Sequence, residues 1–337
     1  MTKREAVIAA LEHRDVHPVP WYVSLTMIES EKLAGYYGVK DPLPLFESYM
    51  TSCDVVSAEM TPLGGERYRD YFGVVWNRSG PDKDIGVVEG AVLEEPEIDE
   101  IVLPPVPTEG IDAALSAFCA KPTDTFRVAN YGFSLFERYW TLRGGLEYAL
   151  MDFVADPEYA EALFSAIKEF NLSCLDVILK YPVDAVLFGD DWGQQKGLIM
   201  GPVHWRHYIR PCLEAMYAKV HAAGKYVLQH SCGDISEVYP DLIEIGLNAH
   251  QTFQPEIYDV VKMKALFGSR LTFWGGVSTQ QLLPFATPEE VSRTTRWLID
   301  VLGTGGGYIA APTHAVPYDV PAENMEAMRQ VFLHQTH

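Results

Sequence analysis

A histidine and a cysteine two residues apart end a short apolar segment of the chain, Lys225-Tyr-Val-Leu-Gln-His-Ser-Cys-Gly-Asp234. The β-branched and aromatic residues of this segment predict a strand, and side chains two positions apart on a strand point to the same side. Imidazole and thiolate are ligands that zinc prefers. His230 and Cys232 therefore predict a zinc site, and a buried core cysteine beside a hydrogen-bonded core histidine is the alternative interpretation.

Two adjacent carboxylates, Asp190 and Asp191, end another apolar segment at residues 184–190. Neighbouring side chains on a strand point to opposite faces, so we expect only one of the two to enter a site. We predict that this carboxylate orients a ligand histidine, binds a substrate donor or acts as a general acid. The alternative is that the pair accepts hydrogen bonds from backbone amides of the following loop.

The elements that position these residues alternate regularly along the chain. Eight apolar segments have the character of strands, and nearly all are followed by a helical pattern: 17–24, 53–59, 125–131, 184–190, 226–230, 247–250, 271–275 and 308–312. This alternation predicts an α/β fold, a TIM-type (β/α)8 barrel. A doubly wound open sheet is the alternative, but no Gly-x-Gly-x-x-Gly fingerprint follows any predicted strand.

Two parts of the chain depart from this alternation. N-terminal helices are predicted over residues 1–12, 29–37 and 43–51. From about residue 61 to 107, short alternating runs separated by Gly, Pro and Asp predict small antiparallel strands. We therefore expect a single barrel domain over residues 1–337 with an inserted β-rich segment at about 61–107.

Barrel enzymes carry their chemistry at the C-terminal ends of the strands. Several predicted strands end in polar or ionisable residues, which cost free energy if they are buried without partners. We predict substrate contacts from the residues of these ends and the loop after residue 190, namely Tyr22, Glu59, Tyr131, Trp192, Gln195, His250 and Trp274. His314 follows the last strand, which barrel closure brings towards strand five, and is the predicted third zinc ligand. A loop histidine bonded to the backbone is the alternative.

Composition excludes some classes of partner. The 337 residues carry 46 acidic and 26 basic side chains, a formal net charge of -20, which disfavours nucleic acid and anionic membranes. No apolar run approaches the roughly 18 residues of a membrane span, and the N-terminus does not have the pattern of a signal peptide. The five cysteines are odd in number and widely spaced, which predicts reduced thiols in a cytoplasmic protein.

These motifs together resemble the uroporphyrinogen decarboxylase superfamily and, within it, the zinc-dependent corrinoid methyltransferases. The resemblance spans most of the chain and is carried by residues 1–12, Gly189-Asp-Asp-Trp-Gly-x-Gln-x-Gly197, residues 200–206, His230-Ser-Cys-Gly233 and residues 313–324. It implies a TIM-type barrel and a zinc ion bound by the His-x-Cys pair. It also implies a small methylated substrate and a corrinoid (cobalamin) carried by a separate protein, with a homodimer left open.

The chain departs from these methyltransferases at the third ligand. The resemblance implies a cysteine near the last strand, where this sequence has His314. Imidazole in place of a thiolate leaves zinc a better Lewis acid, which favours transfer of a methyl group from an ether oxygen to cobalt. We therefore expect an O-demethylase methyltransferase I acting on an aromatic methyl ether. Thiol methylation from methylcobalamin is the alternative.

Two more distant alternatives are a decarboxylase and a non-catalytic partner of a corrinoid protein. The decarboxylases of the superfamily carry arginines after the first strand for their porphyrinogen carboxylates. The stretch Trp21-Tyr-Val-Ser-Leu-Thr-Met27 has none, which weighs against the decarboxylase.

Overall fold

The structure, a computed structural model, describes residues 1–56, 60–80 and 86–335. The strands within these ranges are β1 (Met50–Asp54), β2 (Thr61–Gly64), β3 (Arg67–Arg69), β4 (Val75–Asn77), β5 (Val87–Glu89), β6 (Phe126–Phe133), β7 (Ala185–Gly189), β8 (Gly193–Gln194), β9 (Gly197–Leu198), β10 (Tyr226–His230), β11 (Ala249–Phe253), β12 (Thr272–Val277) and β13 (Tyr308–Pro312).

The α-helices of the same ranges are α1 (Lys3–Leu11), α2 (Met27–Tyr37), α3 (Thr108–Cys119), α4 (Phe136–Leu142), α5 (Leu146–Ala155), α6 (Pro157–Ile178), α7 (Gly201–His204), α8 (Arg210–Ala222), α9 (Tyr239–Glu244), α10 (Val260–Phe267), α11 (Leu282–Phe285), α12 (Pro288–Gly303) and α13 (Ala322–Leu333). Short 3-10 turns lie at Leu43–Phe46, Ile98–Glu100 and Ser236–Val238, and a π-helical turn at Trp205–Ile209 joins α7 to α8. In the described part of the chain, no helix is both long and apolar enough to span a bilayer.

A curled parallel sheet forms the centre of the fold, as predicted. Seven strands are hydrogen-bonded in the order β1-β6-β7-β10-β11-β12-β13. The eighth position of the barrel is filled by residues 20–25, through single parallel bridges of Trp21 to Ala310 and of Leu25 to Val316. On the other side, the Tyr49 amide donates to the Trp21 carbonyl at 2.9 Å. The barrel therefore closes between β13 and β1, which confirms the TIM-type architecture.

Several predicted elements differ from the structure, among them the second strand, which was predicted at 53–59 and lies at Met50–Asp54 within the described residues. The first strand, predicted at 17–24, forms only those isolated bridges, because Pro18 and Pro20 have no N–H to donate to a ladder. The helix predicted at 43–51 is a 3-10 turn that ends at Phe46, and strand β1 begins at Met50. The sixth strand, predicted to end at His250, continues to Phe253.

The predicted insertion forms a separate antiparallel sheet. Its four strands follow the order β2-β3-β4-β5 between Thr61 and Glu89. Asp70 holds the turn before β4 by accepting hydrogen bonds from the amides of Phe72 and Val74, both at 2.9 Å. A buried ion pair to Arg138 of α4, at 3.0 Å, attaches this sheet to the barrel.

Helix α1 closes the N-terminal end of the barrel. Thr2 and Glu5 form a capping box that begins the helix. Val7 and Leu11 pack against side chains that project into the barrel interior from all seven strands of the parallel sheet and form one apolar cluster, namely Met50, Phe126, Val128, Ala185, Leu228, Ala249, Trp274, Ile309 and Ala311. Since α1 packs against this end, we expect a substrate to enter the barrel from the C-terminal ends of the strands.

Candidate metal centre

The structure brings the three predicted metal ligands together at the open end of the barrel. His230 is the last residue of β10, Cys232 lies in the loop that follows, and His314 lies two residues after β13. One ligand atom from each residue lies within 4.8 Å of the other two. The His230 and His314 rings meet edge to face, with centroids 5.6 Å apart. Among the described residues, this is the group of His, Cys and carboxylate side chains arranged to hold a metal ion.

The spacing and donor types of this group fit zinc. His230 Nε2 and Cys232 Sγ are 3.7 Å apart. Tetrahedral zinc with its usual Zn–N and Zn–S bond lengths separates two such ligands by about 3.6 Å. Three protein ligands of nitrogen and sulfur leave one tetrahedral position for a substrate atom or water, as in catalytic zinc sites.

Gln251, on the neighbouring strand β11, fixes the orientation of the His230 ring. His230 Nδ1–H donates a hydrogen bond to the Gln251 side-chain oxygen, which leaves Nε2 as the nitrogen that faces Cys232. An acceptor bonded to the other ring nitrogen sets the tautomer and raises the basicity of a ligand histidine. The next residue, Thr252, directs its hydroxyl at Cys232 Sγ from 3.9 Å. The sequence prediction missed Gln251, because it ended this strand at His250, three residues before its observed end at Phe253.

Asp191 contacts both ligands of the His-x-Cys pair. Its Oδ1 accepts a hydrogen bond from the Cys232 amide at 2.7 Å and lies 3.3 Å from His230 Nε2. Burial by itself raises the pKa of the Asp191 carboxyl, but the hydrogen bond and charge of His230 outweigh it and lower that pKa to about 2. Conversely, burial by itself lowers the pKa of His230, and its bonds to Asp191 and Cys232 raise it well above the usual value. Asp191 is thus the carboxylate that enters the site.

The side chain of Asp190 points away from the metal ligands and stabilises the fold. It is fully buried, and its carboxylate accepts hydrogen bonds from the amides of Phe136 at 2.9 Å and Glu137 at 2.7 Å, at the start of α4. The Trp192 indole N–H donates to it at 2.5 Å. Burial raises the pKa of Asp190 to about 6, although these hydrogen bonds oppose the rise. The structure therefore places Asp190 at a helix N-terminus and away from the metal ligands, in contrast to the predicted catalytic role.

Four further residues predicted to touch substrate are placed elsewhere. Tyr131 is buried between the sheet and α6, where its hydroxyl donates to Asn171 at 2.6 Å. His250 is buried between the Tyr239 hydroxyl and the Ser231 carbonyl; burial lowers the pKa of this imidazole to about 4. Trp192 is fully buried, and Gln195 is exposed between β8 and β9. Glu59 lies outside the described residues.

Tyr22 and Trp274, by contrast, face the barrel interior. Their rings meet edge to face with centroids 5.3 Å apart. The Tyr22 hydroxyl lies 3.3 Å from Ser52 Oγ on β1. One position along the same face, Asp54 Oδ1 accepts a hydrogen bond from Asn130 of β6 at 2.6 Å. The sequence analysis did not predict Ser52, Asp54 or Asn130. Side chains alternate along β1, however, so that Ser52 and Asp54 face inwards with Met50.

Two glycines let the loop that carries Cys232 pack against the β8–β9 hairpin. A Cβ atom added to Gly233, whose φ is +76°, would lie 2.2 Å from the backbone carbon of Gly193. A Cβ atom added to Gly193 would lie 2.5 Å from the Cys232 carbonyl oxygen. Side chains at either position would therefore push the thiol away from His230.

Comparison with known proteins identifies the family to which this fold and site belong. Residues 141–333, more than half of the chain, match the family described as Uroporphyrinogen decarboxylase (URO-D), and the chain is a member of that family. This confirms the resemblance drawn from the motifs.

The chain is also similar to methyltransferases. Over 176 residues the chain is 26% identical to the methylated-thiol–coenzyme M methyltransferase of Methanosarcina mazei, a match that covers 51% of this chain and 44% of that relative. The chain thus spans less than half the length of this relative. A solved structure described as a methyltransferase from Methanosarcina mazei has the same fold, with a TM-score of 0.68 at 16% identity over 99% of this chain and 100% of the other.

Proposed function

We propose that this protein is a zinc-dependent methyltransferase that moves a methyl group between a small substrate and the cobalt of a corrinoid carried by a separate protein. The observation that supports the proposal most is the group of His230, Cys232 and His314 at the open end of the barrel. Membership of the URO-D family and similarity to a methyltransferase support the class of reaction. These three residues would hold the zinc ion, which when bound supplies Lewis acidity towards a substrate heteroatom.

The donor set favours a methyl ether as the substrate. Two imidazoles and one thiolate place less electron density on the metal than two thiolates would, which suits polarisation of an oxygen more than activation of a thiol. In the transfer, the methyl carbon leaves the oxygen, which keeps the bonding electron pair and takes up a proton. Cobalt(I) supplies the electron pair of the new cobalt–carbon bond. The aromatic rings of Tyr22 and Trp274 in the barrel interior favour an aromatic methyl ether.

Methylation of a thiol is the second candidate, and one observation favours it. The relative that is 26% identical over 176 residues is named for a methylated thiol and coenzyme M. In that reaction the methyl group passes from methylcobalamin to a thiol that has lost its proton. The two candidates share the metal ligands and differ in the direction of transfer and in the acceptor atom.

One set of assays tests both candidates. The purified protein and one corrinoid protein are given either a methoxyaromatic with cobalt(I) or a thiol with methylcobalamin, and the cobalt spectrum is followed. We expect about one zinc per chain and faster turnover of the ether. Cys232→Ala should lose both zinc and activity, whereas Cys119→Ala, a change of the same type on the outer helix α3, should retain both.

Three outcomes would contradict the proposal. Wild-type protein that is active without metal would overturn the role of zinc. Faster thiol methylation would overturn the ether and favour the second candidate. Tight binding of the corrinoid protein without turnover of any donor would indicate a non-catalytic partner.

A further inference from the structure

A polar wall lines one side of the barrel interior at its open end. Met50 of β1 belongs to the interior cluster, and side chains alternate along a strand, so Ser52 and Asp54 face the same interior. Both are exposed to solvent, although the strand is part of a barrel, which shows that the interior is open at this level. Asn130 of β6 joins them through its hydrogen bond to Asp54.

This wall lies across the opening from the metal ligands. In the strand order, β6 and β7 separate β1 from β10, which carries His230. In the other direction β11, β12, β13 and residues 20–25 lie between them. A substrate that places its reacting atom at the metal ligands therefore points its remote end at Asp54 and Asn130.

The wall offers hydrogen-bond acceptors. Asn130 donates one Nδ2–H to Asp54 Oδ1, which leaves its side-chain oxygen and the second Asp54 oxygen as acceptors beside its second N–H. The Tyr22 hydroxyl, beside Ser52, borders the same face. Acceptors of this kind bind hydroxyl, amide or ammonium groups.

The charge of the barrel interior is negative. Asp54 and Asp191 both lie at its open end, and no interior-facing strand position among the described residues is Lys or Arg. Lys196, in the hairpin beside the Cys232 loop, is exposed between β8 and β9. A carboxylate or sulfonate on the substrate would meet the Asp54 carboxylate, and no Lys or Arg of the described strands faces it there.

The floor beneath the wall contains an unused donor. Trp274 is 3% exposed and packs against Tyr22, and its indole N–H has no hydrogen-bond partner among the described residues. A buried donor without a partner costs free energy, and a polar atom of a bound ligand would remove that cost. This second observation points to a ligand that reaches the floor next to Tyr22.

We infer that the open end of the barrel contains a specificity subsite formed by Tyr22, Ser52, Asp54 and Asn130. This subsite selects uncharged or cationic methylated substrates that carry N–H or O–H groups at the end remote from the methyl group. It rejects anionic substrates. The inference rests on the proposed function for the identity of the reacting end. In this subsite, Asp54 excludes anions and accepts a hydrogen bond from a substrate N–H or O–H.

Binding of two isosteric ligands tests this subsite. The probes are 4-methoxybenzamide and 4-methoxybenzoate, which carry the amide or carboxylate at the end of the ring opposite the methoxy group and differ in charge and in the N–H groups of the amide. Calorimetry on the zinc-loaded protein should show the amide binding at least about tenfold tighter, since repulsion between carboxylates a few ångströms apart is of that order in a solvated cavity. Asp54→Asn keeps the shape of the side chain and should reduce this ratio to about threefold or less. Asp300→Asn, the same change on the exposed surface of α12, should leave the ratio unchanged.

Several results would overturn the subsite. These are equal binding of the two probes by the wild type, an unchanged ratio in Asp54→Asn with normal zinc content, or binding of neither probe. The measurement needs no methyl transfer, so it separates the two proposals. Selective binding without turnover by any corrinoid protein would contradict the proposed function and retain the subsite. Turnover without selectivity between the two probes would retain the proposed function and contradict the subsite.

Discussion

Gln251 gives the sharpest test of the metal centre, because it supports a ligand without being one. Its side-chain oxygen is the acceptor for His230 Nδ1–H. In Gln251→Leu this acceptor is lost, the ring can rotate, and the tautomer with Nε2 available to metal is no longer favoured. Loss of a hydrogen-bond partner of a ligand histidine lowers metal affinity about 10–100-fold, which corresponds to about 1.4–2.7 kcal/mol.

Zinc affinity is measured by competition with a chromophoric chelator at fixed pH. Gln251→Glu, which places a carboxylate at the same acceptor position, should bind zinc at least as tightly as the wild type. Gln280→Leu, at an exposed residue after β12, is the matched control and should not change affinity. Wild-type affinity in Gln251→Leu, with the fold intact by circular dichroism, would refute the assignment of His230 Nε2 as the metal-binding nitrogen.

Three further predictions follow from buried groups and from a close backbone contact. Asp190→Ala removes the acceptor for the first amides of α4 and should lower the free energy of unfolding by about 2–4 kcal/mol, measured with urea; zinc lost without a loss of stability would instead indicate a direct role at the metal. Burial raises the pKa of Glu29 to about 7, opposed by Lys32 2.5 Å away, so the folded protein holds a proton there that the unfolded chain has released. The contribution of Glu29 to the free energy of unfolding is complete below the ordinary pKa of a glutamate and falls by up to about 3 kcal/mol as pH rises towards 7. Glu29→Gln should therefore make the free energy of unfolding depend less on pH than in the wild type. Parallel curves of unfolding free energy against pH for the two proteins would contradict this. Gly233→Ala should weaken zinc binding because its Cβ would collide with Gly193. The control Gly224→Ala has a similar φ of +69° but open space around it, so it should cost only backbone strain of about 1 kcal/mol. Equal zinc affinity in the two variants would show that the loop adapts.

Strand content could be predicted because apolar runs and their helical spacers are local features. The failures came where local pattern does not decide the outcome. Residues 17–24 have the composition of a strand, but their prolines reduce the pairing to isolated bridges at Trp21 and Leu25. The ends of β11 also depend on pairing with β10 and β12, which no single segment encodes.

An error of this size in a strand boundary changes which side chains enter the site. Successive residues of a strand point to opposite faces. Ending the sixth strand at His250 assigned that histidine to the opening, whereas the continued strand buries it and presents Gln251 beside His230. The same alternation separates Asp190 from Asp191, and the sequence alone did not show which of the two enters the barrel. His230 and Cys232 could be predicted to lie on the same side, because side chains two positions apart share one face of a strand in any register.

The contacts of Asp191 bear on how the protein would acquire the proposed zinc ion. A carboxylate that holds the Cys232 amide and lies 3.3 Å from His230 Nε2 keeps this pair of ligands in place before any ion arrives. Zinc fingers, by comparison, are unfolded without their metal. We expect this chain to fold first and to be loaded afterwards, so that a chelator removes zinc reversibly and leaves a protein that can be refilled with another divalent ion.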